Sequence, residues 1–331
     1  MQRWTPDMAT PGWQQSDDAG KVSDALKAGD LVAVPTETVY GLAADATSSI
    51  ACAKIFAAKG RPSFNPLISH VPSLEVAQQH GVFNEQALKL AKAFWPGPLT
   101  LVVPKAETST ISELATAGLK TVALRVPAGP VMRFLAEATG RPLAAPSANR
   151  SGKISATCAD DVIADLRSSL SYVVDTGFCE VGIESTIIGL FGDQPRLLRP
   201  GGLSREDIET VLGSSLQTHS SEETPDAPSA PGMLTSHYAP DAIMVLDAEE
   251  ITFEDALLSF GSSKLPGAEK ATKEINLSPS GDMTEAASNL FQAMRTLDNC
   301  GAKTIRVQHI PNLGLGEAIN DRLRRAAAPR D

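Results

Sequence analysis

Val34-Pro-Thr-Glu-Thr-Val-Tyr-Gly41, followed by Lys59-Gly-Arg-Pro62 and Asn65-Pro-Leu67, is the stretch on which the reading of the fold turns. Leu31-Val-Ala-Val34 is apolar at every position, which predicts a strand buried on both faces. It runs into a proline and then into two hydroxyls around a carboxylate, an aromatic and a glycine. Downstream, at the end of a predicted helix, a lysine and an arginine sit in a proline-flanked loop. A strand end that faces a basic loop is how an open α/β sheet builds a pocket for an anion.

Outward from this stretch, strands and helices are mixed rather than strictly alternating. Asp18 to Gly29 reads as an amphipathic helix, and Ser48 or Ser49 is placed to cap the helix that ends at Lys59-Gly60. Strands are predicted at 65–71, 99–103, 121–127, 172–175, 185–190 and 196–198, and helices at 73–79, 84–94, 130–139 and 159–166. This pattern favours a twisted, mixed open sheet over a regular doubly wound one. Ser214 to Pro231 is rich in Ser, Thr, Pro, Glu and Asp and reads as a linker. It ends in Pro231-Gly-Met-Leu-Thr-Ser-His-Tyr-Ala-Pro240, which is too specific for a plain spacer. A second, smaller strand–helix unit follows, with helices predicted at 283–297 and 316–327. The expected organisation is an N-terminal extension (1–18), a first α/β unit (19–213), a linker (214–240) and a small C-terminal α/β unit (241–331).

The chain has 331 residues, a length that favours two domains, and a formal net charge of −10. Residues 1–205 hold 19 Lys+Arg and 19 Asp+Glu, whereas 206–331 hold 10 and 20, so the second part carries the whole imbalance. Such a balance argues against a chain that coats nucleic acid, and any basic pocket belongs in the neutral first part. No apolar run is long enough to cross a bilayer, and no leader is read at the N-terminus, so a cytoplasmic protein is expected. Cys52, Cys158, Cys179 and Cys300 form no CxxC and read as lone thiols. No protein metal site is indicated.

Polar residues gather where strands of the first unit end: Thr36, Thr38, Lys59, Arg61, Asn65, His70, Thr121, Arg125, Ser147, Asn149, Ser155, Ser185 and Arg199. Three arginines, a lysine and many small donors suit a polyanion such as a nucleoside triphosphate together with a ligand bearing a carboxylate. With no triad and no carboxylate pair, the chemistry expected is positioning and charge stabilisation, as in nucleotidyl transfer. Taken singly, Arg125 reads more often as an edge residue or half of an ion pair, and Lys59 and Arg61 more often as a solvated helix end.

The same residues carry a resemblance. Pro35 to Gly41, Lys59-Gly-Arg-Pro62, Asn65-Pro-Leu67, Pro146-Ser-Ala-Asn149, Ser151-Gly152, Glu184-Ser-Thr-Ile187, Leu198-Arg-Pro-Gly201, Pro231-Gly-Met233 with His237-Tyr-Ala-Pro240, and Gly314 to Leu323 together resemble the YrdC family in its longer, two-domain form, the L-threonylcarbamoyladenylate synthases. The resemblance implies a twisted open mixed sheet with a concave basic face and a small Rossmann-like C-terminal domain. It implies condensation of L-threonine, bicarbonate and ATP to L-threonylcarbamoyl-AMP and pyrophosphate, with Mg²⁺ carried in on the ATP. A downstream tRNA threonylcarbamoyl transferase complex would use the product beside the anticodon, and no stable nucleic-acid or membrane binding is implied.

By motif, Thr38, His70, Arg125, the Ala145 backbone and Ser185 resemble a threonine subsite. Arg61, Asn65, Thr121, Ser147, Asn149, Ser155 and Arg199 resemble a nucleotide subsite, with Lys59 close to the phosphates and Lys59 and Arg61 stabilising charge. His237 or Tyr238 would close over the nucleotide as part of a lid. Rival readings are a double-stranded-RNA-binding module and a carbamoyl-transfer enzyme of related fold.

Overall fold

A computed structural model describes residues 1–218 and 237–329 of the chain. The Pro231-Gly-Met233 part of the expected lid motif and the linker interior lie outside the described residues.

The opening stretch is the turn of a hairpin. β2 (Val32–Val34), which follows β1 (Gln2–Trp4) and α1 (Asp17–Lys27), pairs antiparallel with β3 (Gly41–Asp45), so that Val34 stands opposite Gly41. Val32 and Val34 pack into one apolar cluster and Ala33 into another on the opposite face, the period-two pattern of a strand covered on both sides. Sequence reading found β2 and passed over β3, because Gly-Leu-Ala-Ala-Asp has little intrinsic strand preference and is held by its neighbours.

The first unit continues through α2 (Ser49–Lys59), β4 (Ile68–His70), α3 (Leu74–His80), α4 (Glu85–Phe94), β5 (Leu99–Pro104), β6 (Thr121–Arg125) and α5 (Pro130–Thr139). Next come β7 (Leu143–Ala144), α6 (Ala159–Leu166), β8 (Tyr172–Val174), β9 (Thr186–Gly189), β10 (Arg196–Arg199), α7 (Arg205–Leu212) and β11 (Gln217–Thr218). The strands form one 11-stranded sheet in the order β1-β8-β2-β3-β7-β4-β6-β5-β9-β10-β11, with parallel and antiparallel neighbours mixed as expected. Ser16, Ser48, Ser73, Asn84 and Ser204 each cap the helix that follows, a contribution of about 1 kcal/mol apiece.

Two segments read as lying outside the first unit belong to its sheet. Gln2–Trp4 pairs parallel with β8, and Trp4 is buried against Trp13, which in turn meets Phe134 edge-on. Gln217–Thr218 pairs parallel with β10 at the other edge. Strands this short show no period in sequence, so only the pairing reveals them.

The second unit holds β12 (Ile243–Val245), β13 (Asp255–Ser259), β14 (Lys273–Asn276), α8 (Met283–Asp298), β15 (Thr304–Val307) and α9 (Gly316–Ala327). Its four strands are all parallel, in the order β12-β15-β13-β14. Its core is continuous with Val39, Ile154 and Ile183 of the first unit. Gly182, at φ +73°, lets the Ser288 backbone of α8 come so close that a Cβ there would lie 2.5 Å from the Ser288 Cα. Among the described residues no helix is long and apolar enough to cross a membrane.

Candidate active site

The β2–β3 turn is organised by one hydroxyl. Thr36 Oγ1 donates to the Val39 carbonyl at 2.7 Å and accepts from the backbone N–H of Thr38 and Val39, at 3.2 and 3.3 Å. This fixes the Thr38 side chain, which is fully buried and accepts from Arg125 Nη1 at 3.0 Å. Arg125 ends β6 beside His70 at the end of the parallel strand β4, so both stand at carboxyl ends of the sheet, where open α/β proteins collect ligands. Its Nε donates to the Gly97 carbonyl at 3.2 Å and its Nη2 to Glu37 at 2.6 Å. Glu37 also accepts from the Gly129 N–H. Glu37, for which the sequence offered no role, orients Arg125. Burial alone would raise the Glu37 carboxyl, but the Arg125 charge and hydrogen bond outweigh it and hold the carboxyl below its ordinary value.

Thr38, Arg61, His70, Arg125, Ala145, Ser147, Ser185, Arg199, His237 and Tyr238 all line one cavity of about 50 Å³, with Glu184 in the same wall. On one side, Ser185 Oγ is within 2.7 Å of Thr100 Oγ1 and receives Arg199, whose Nη2 donates to the Ser185 carbonyl at 2.8 Å. Gly201 allows this strand to approach, since a Cβ there would meet the Glu184 carbonyl oxygen at 2.3 Å. Arg61 donates to the Asn65 and Pro66 carbonyls, at 3.4 and 3.1 Å. Burial, with repulsion from Arg199, pushes the Arg61 guanidinium down to about 10, and burial lowers Arg199 likewise. Neither arginine makes an ion pair among the described residues. Two cations, Arg199 buried and Arg61 half-buried, therefore face the cavity with only neutral oxygens as hydrogen-bond acceptors among the described residues.

The other sequence-derived residues stand behind this wall or away from it. Lys59 was expected close to the phosphates. Its buried Nζ donates to the carbonyls of Ser147, at 2.6 Å, and Asn149, and so clamps the Pro146–Asn149 loop. Burial, then the Arg61 charge, holds the Lys59 amine well below its ordinary value. Asn149 Nδ2 donates to the Arg150 and Lys153 carbonyls within the same loop. Ser155 donates to Glu184 at 2.5 Å. Asn65 is buried with both side-chain polar atoms unpartnered among the described residues. Thr121 begins β6, whereas Arg125 ends it, so Thr121 lies about 13 Å along the strand from Arg125 and is not among the cavity's lining residues. Among the described residues no group of three or more His, Cys, Asp or Glu is placed to hold a metal ion.

His237 and Tyr238 both line the cavity, their rings edge-to-face at 4.0 Å. Tyr238 is held at φ +63° by the second unit, stacked on Phe291 of α8 with Arg322 of α9 over its ring at 5.4 Å. Sequence reading missed Arg322 and left Glu184 without a role. The signal was present in α9, where Ala318, Ile319, Leu323 and Ala326 mark the buried face and Arg322 falls on it.

His70 and His237 are both fully enclosed, each with Nδ1 unpartnered among the described residues. Burial, reinforced by Arg125 for His70 and by the surrounding cations for His237, pushes each imidazole down to about 3. The unfolded chain takes up these protons first as pH falls below about 6.5, so stability is lost on acidification. Each histidine is expected to cost about 2–3 kcal/mol over the two pH units below 6.5. H70Q/H237Q should flatten the melting temperature against pH between 6.5 and 4.5, and an unchanged slope would refute the assignment.

Comparison with known proteins agrees with this architecture. The Sua5/YciO/YrdC family model, described as telomere recombination, matches residues 24–201, and the model of the threonylcarbamoyl-AMP synthase C-terminal domain matches 203–328. The chain is 40% identical over 327 residues to the threonylcarbamoyl-AMP synthase of Pyrococcus abyssi, with 92% of each chain covered. It is 36% identical to that of Bacillus subtilis, with 99% of this chain and 98% of the relative covered. Among solved structures, P. abyssi Sua5 complexed with L-threonine superposes with a TM-score of 0.87 at 37% identity, covering 98% of this chain and 97% of that one. With both family models matched in sequence order, relatives aligned over nearly its full length and a mixed 11-stranded sheet followed by a small parallel one, this chain belongs to the Sua5/YrdC family.

Proposed function

We propose that the chain is a threonylcarbamoyl-AMP synthase of the nucleotidyltransferase type, condensing L-threonine, bicarbonate and magnesium–ATP to L-threonylcarbamoyl-AMP and pyrophosphate. The observation that carries this reading is one cavity lined by two kinds of cation: Arg125, paired with Glu37, and Arg61 and Arg199, which pair with no carboxylate among the described residues. Arg125, with Thr38, His70, Ser185 and the Ala145 backbone, makes a set suited to an amino acid carboxylate and hydroxyl. Arg61 and Arg199, with Ser147, make a set suited to phosphates. The relatives' shared name, and the threonine-bound structure of one of them, support the same reading.

The threonine amine attacks the bicarbonate carbon and water leaves, giving an N-carboxy species. Its carboxylate attacks the α-phosphorus of ATP, and the bond to the β-phosphate oxygen breaks to release pyrophosphate. Arg61 and Arg199 offset the charge on the phosphates, while Lys59, Asn149 and Ser155 hold the walls from behind. His237 and Tyr238 roof a cavity far smaller than the roughly 300 Å³ at which ligand pockets begin, so admission of the nucleotide moves that pair. Closure then shields a labile carbamate from water.

We read residues 241–331 as a separate cap domain, the setting as cytoplasmic, and the consumer of the product as a tRNA threonylcarbamoyl transferase complex. A double-stranded-RNA platform is disfavoured because the cations lie inside a cavity rather than along a surface. The test is pyrophosphate release from ATP with mass-spectrometric detection of threonylcarbamoyl-AMP. Release is expected to fall to background when either threonine or bicarbonate is omitted, and release that persists undiminished without them overturns the assignment.

A further inference from the structure

Glu184 presents a difficulty for any polyanion site. It lies in the cavity wall, fully enclosed, beside the phosphate-facing Arg199. An ionised carboxylate there repels phosphate, and it competes for the nearest arginine. The structure resolves the conflict from outside the first unit. Arg322 of α9, with no exposed side-chain surface, reaches across to donate Nε to Glu184 Oε2 at 3.0 Å. Its Nη1 donates to the Pro200 carbonyl at 2.7 Å, in the residue that follows Arg199, and to Asp321 at 2.9 Å. The other Glu184 oxygen is taken by Ser155 Oγ. Arg199 makes no hydrogen bond to Glu184 and leans instead on the neutral carbonyl and hydroxyl of Ser185. Arg322 also lies over the Tyr238 ring in the cavity roof.

We propose that Arg322 is a positioning residue through which the second unit sets the charge of the active site: by pairing with Glu184 it keeps Arg199 available for the nucleotide phosphates. This rests on the reading of the cavity as an ATP site. It gives the second unit a part in the chemistry beyond packing. Arg322 acts through Glu184, Pro200 and Tyr238 and is not itself assigned to touch substrate.

The role differs from plain domain docking in one measurable respect. If Arg322 serves only the fold, R322M lowers stability and raises KM for ATP and for threonine alike, and removing the stranded Glu184 charge restores both alike. If it serves to cancel Glu184 beside Arg199, R322M raises KM for ATP selectively and removing the carboxylate charge restores it, whereas a parallel change in both KM values overturns the inference. The experiment measures ATP affinity by calorimetry, and KM for ATP and for threonine by pyrophosphate release, in the full-length wild type, R322M, R322K, E184Q and E184Q/R322M.

R322M is expected to weaken ATP binding at least tenfold and to raise KM for ATP more than KM for threonine. R322K retains a cation at the same buried position and should fall between R322M and the wild type. E184Q/R322M keeps the acceptor for Ser155 while removing both charges, and is expected to return ATP affinity to within about threefold of wild type. Should R322M fail to fold, R322K and the double variant carry the same comparison. A wild type that does not bind ATP overturns the functional reading and this inference with it. If the wild type binds, then R322M binding ATP equally well, or E184Q/R322M no better than R322M, overturns this inference alone.

Discussion

Replacing Arg61 and Arg199 together by methionine is expected to reduce threonylcarbamoyl-AMP formation at least a thousandfold while leaving the empty protein as stable as before, or more so. The two halves of this expectation share one cause. Arg199 is buried and Arg61 half-buried, and neither is paired with a carboxylate among the described residues, so the hydration they lose is replaced by carbonyl and hydroxyl oxygens. Arginine does not release its proton in a protein, so a guanidinium pushed down to about 10 is a charge held at a cost. Methionine keeps most of the volume without the charge, and relief of the cost is expected to be worth about 1–3 kcal/mol in the unliganded state. The same uncompensated charge is what the triphosphate and the departing pyrophosphate require, and removing a single such stabilising donor commonly costs about 10²–10³ in rate. Site residues arranged for a ligand oppose stability in its absence. Thermal melts with and without ATP separate the effects: R61M/R199M should melt no lower than wild type and lose the upward shift that ATP gives. Undiminished synthesis by the variant would remove these arginines from the reaction. A melt several degrees lower would show that they serve the fold.

The fold was legible where local signals were strong. Fully apolar strands such as β2, capped helices such as α4 behind Asn84, and the α8 and α9 periodicities were readable because each follows from nearby residues. The edge strands β1 and β11 and the alanine-rich β3 were not, since their conformation comes from partners far away in sequence. The site shows the same division. Thr38, Arg125, Ser185 and Arg199 were identifiable only together, because polar side chains recur at the ends of buried strands, whereas each alone has a bland explanation, as the Arg125–Glu37 ion pair illustrates. What sequence could not supply was the direction in which a side chain points. Lys59 ends α2 and Arg61 follows two residues later, yet one turns back to clamp a backbone while the other faces the cavity. Thr121 and Arg125 belong to one strand, yet stand at opposite ends of it. Glu37 and Glu184 remained unassigned because their partners, Arg125 and Arg322, lie 88 and 138 residues away.

The buried pair of Arg125 and Glu37 allows stability and catalysis to be separated. Both side chains are nearly inaccessible, at 4% and 8% exposure, and their closest approach is 2.6 Å. R125M leaves the Glu37 carboxylate buried without its cation, with the Gly129 N–H still donating to it, so a loss of about 3–5 kcal/mol is expected, together with a raised Glu37 carboxyl. E37Q/R125M removes the stranded charge as well, and most of that stability should return, because a buried ion pair is commonly close to neutral against an uncharged replacement. Activity should not return. Thr38 would lose the donor that fixes it, and no guanidinium would remain at that end of the cavity to take the threonine carboxylate in two hydrogen bonds. The KM for threonine in the double variant is therefore expected to stay at least a hundredfold above wild type while its melting temperature approaches that of the wild type. E37Q alone keeps Arg125 attached to Thr38 and Gly97, and should show a much smaller rise in KM. A double variant that recovers stability and threonine-dependent activity together would show that Arg125 acts only on the fold. Recovery of stability without activity places the guanidinium at the amino acid, with Glu37 as the residue that aims it.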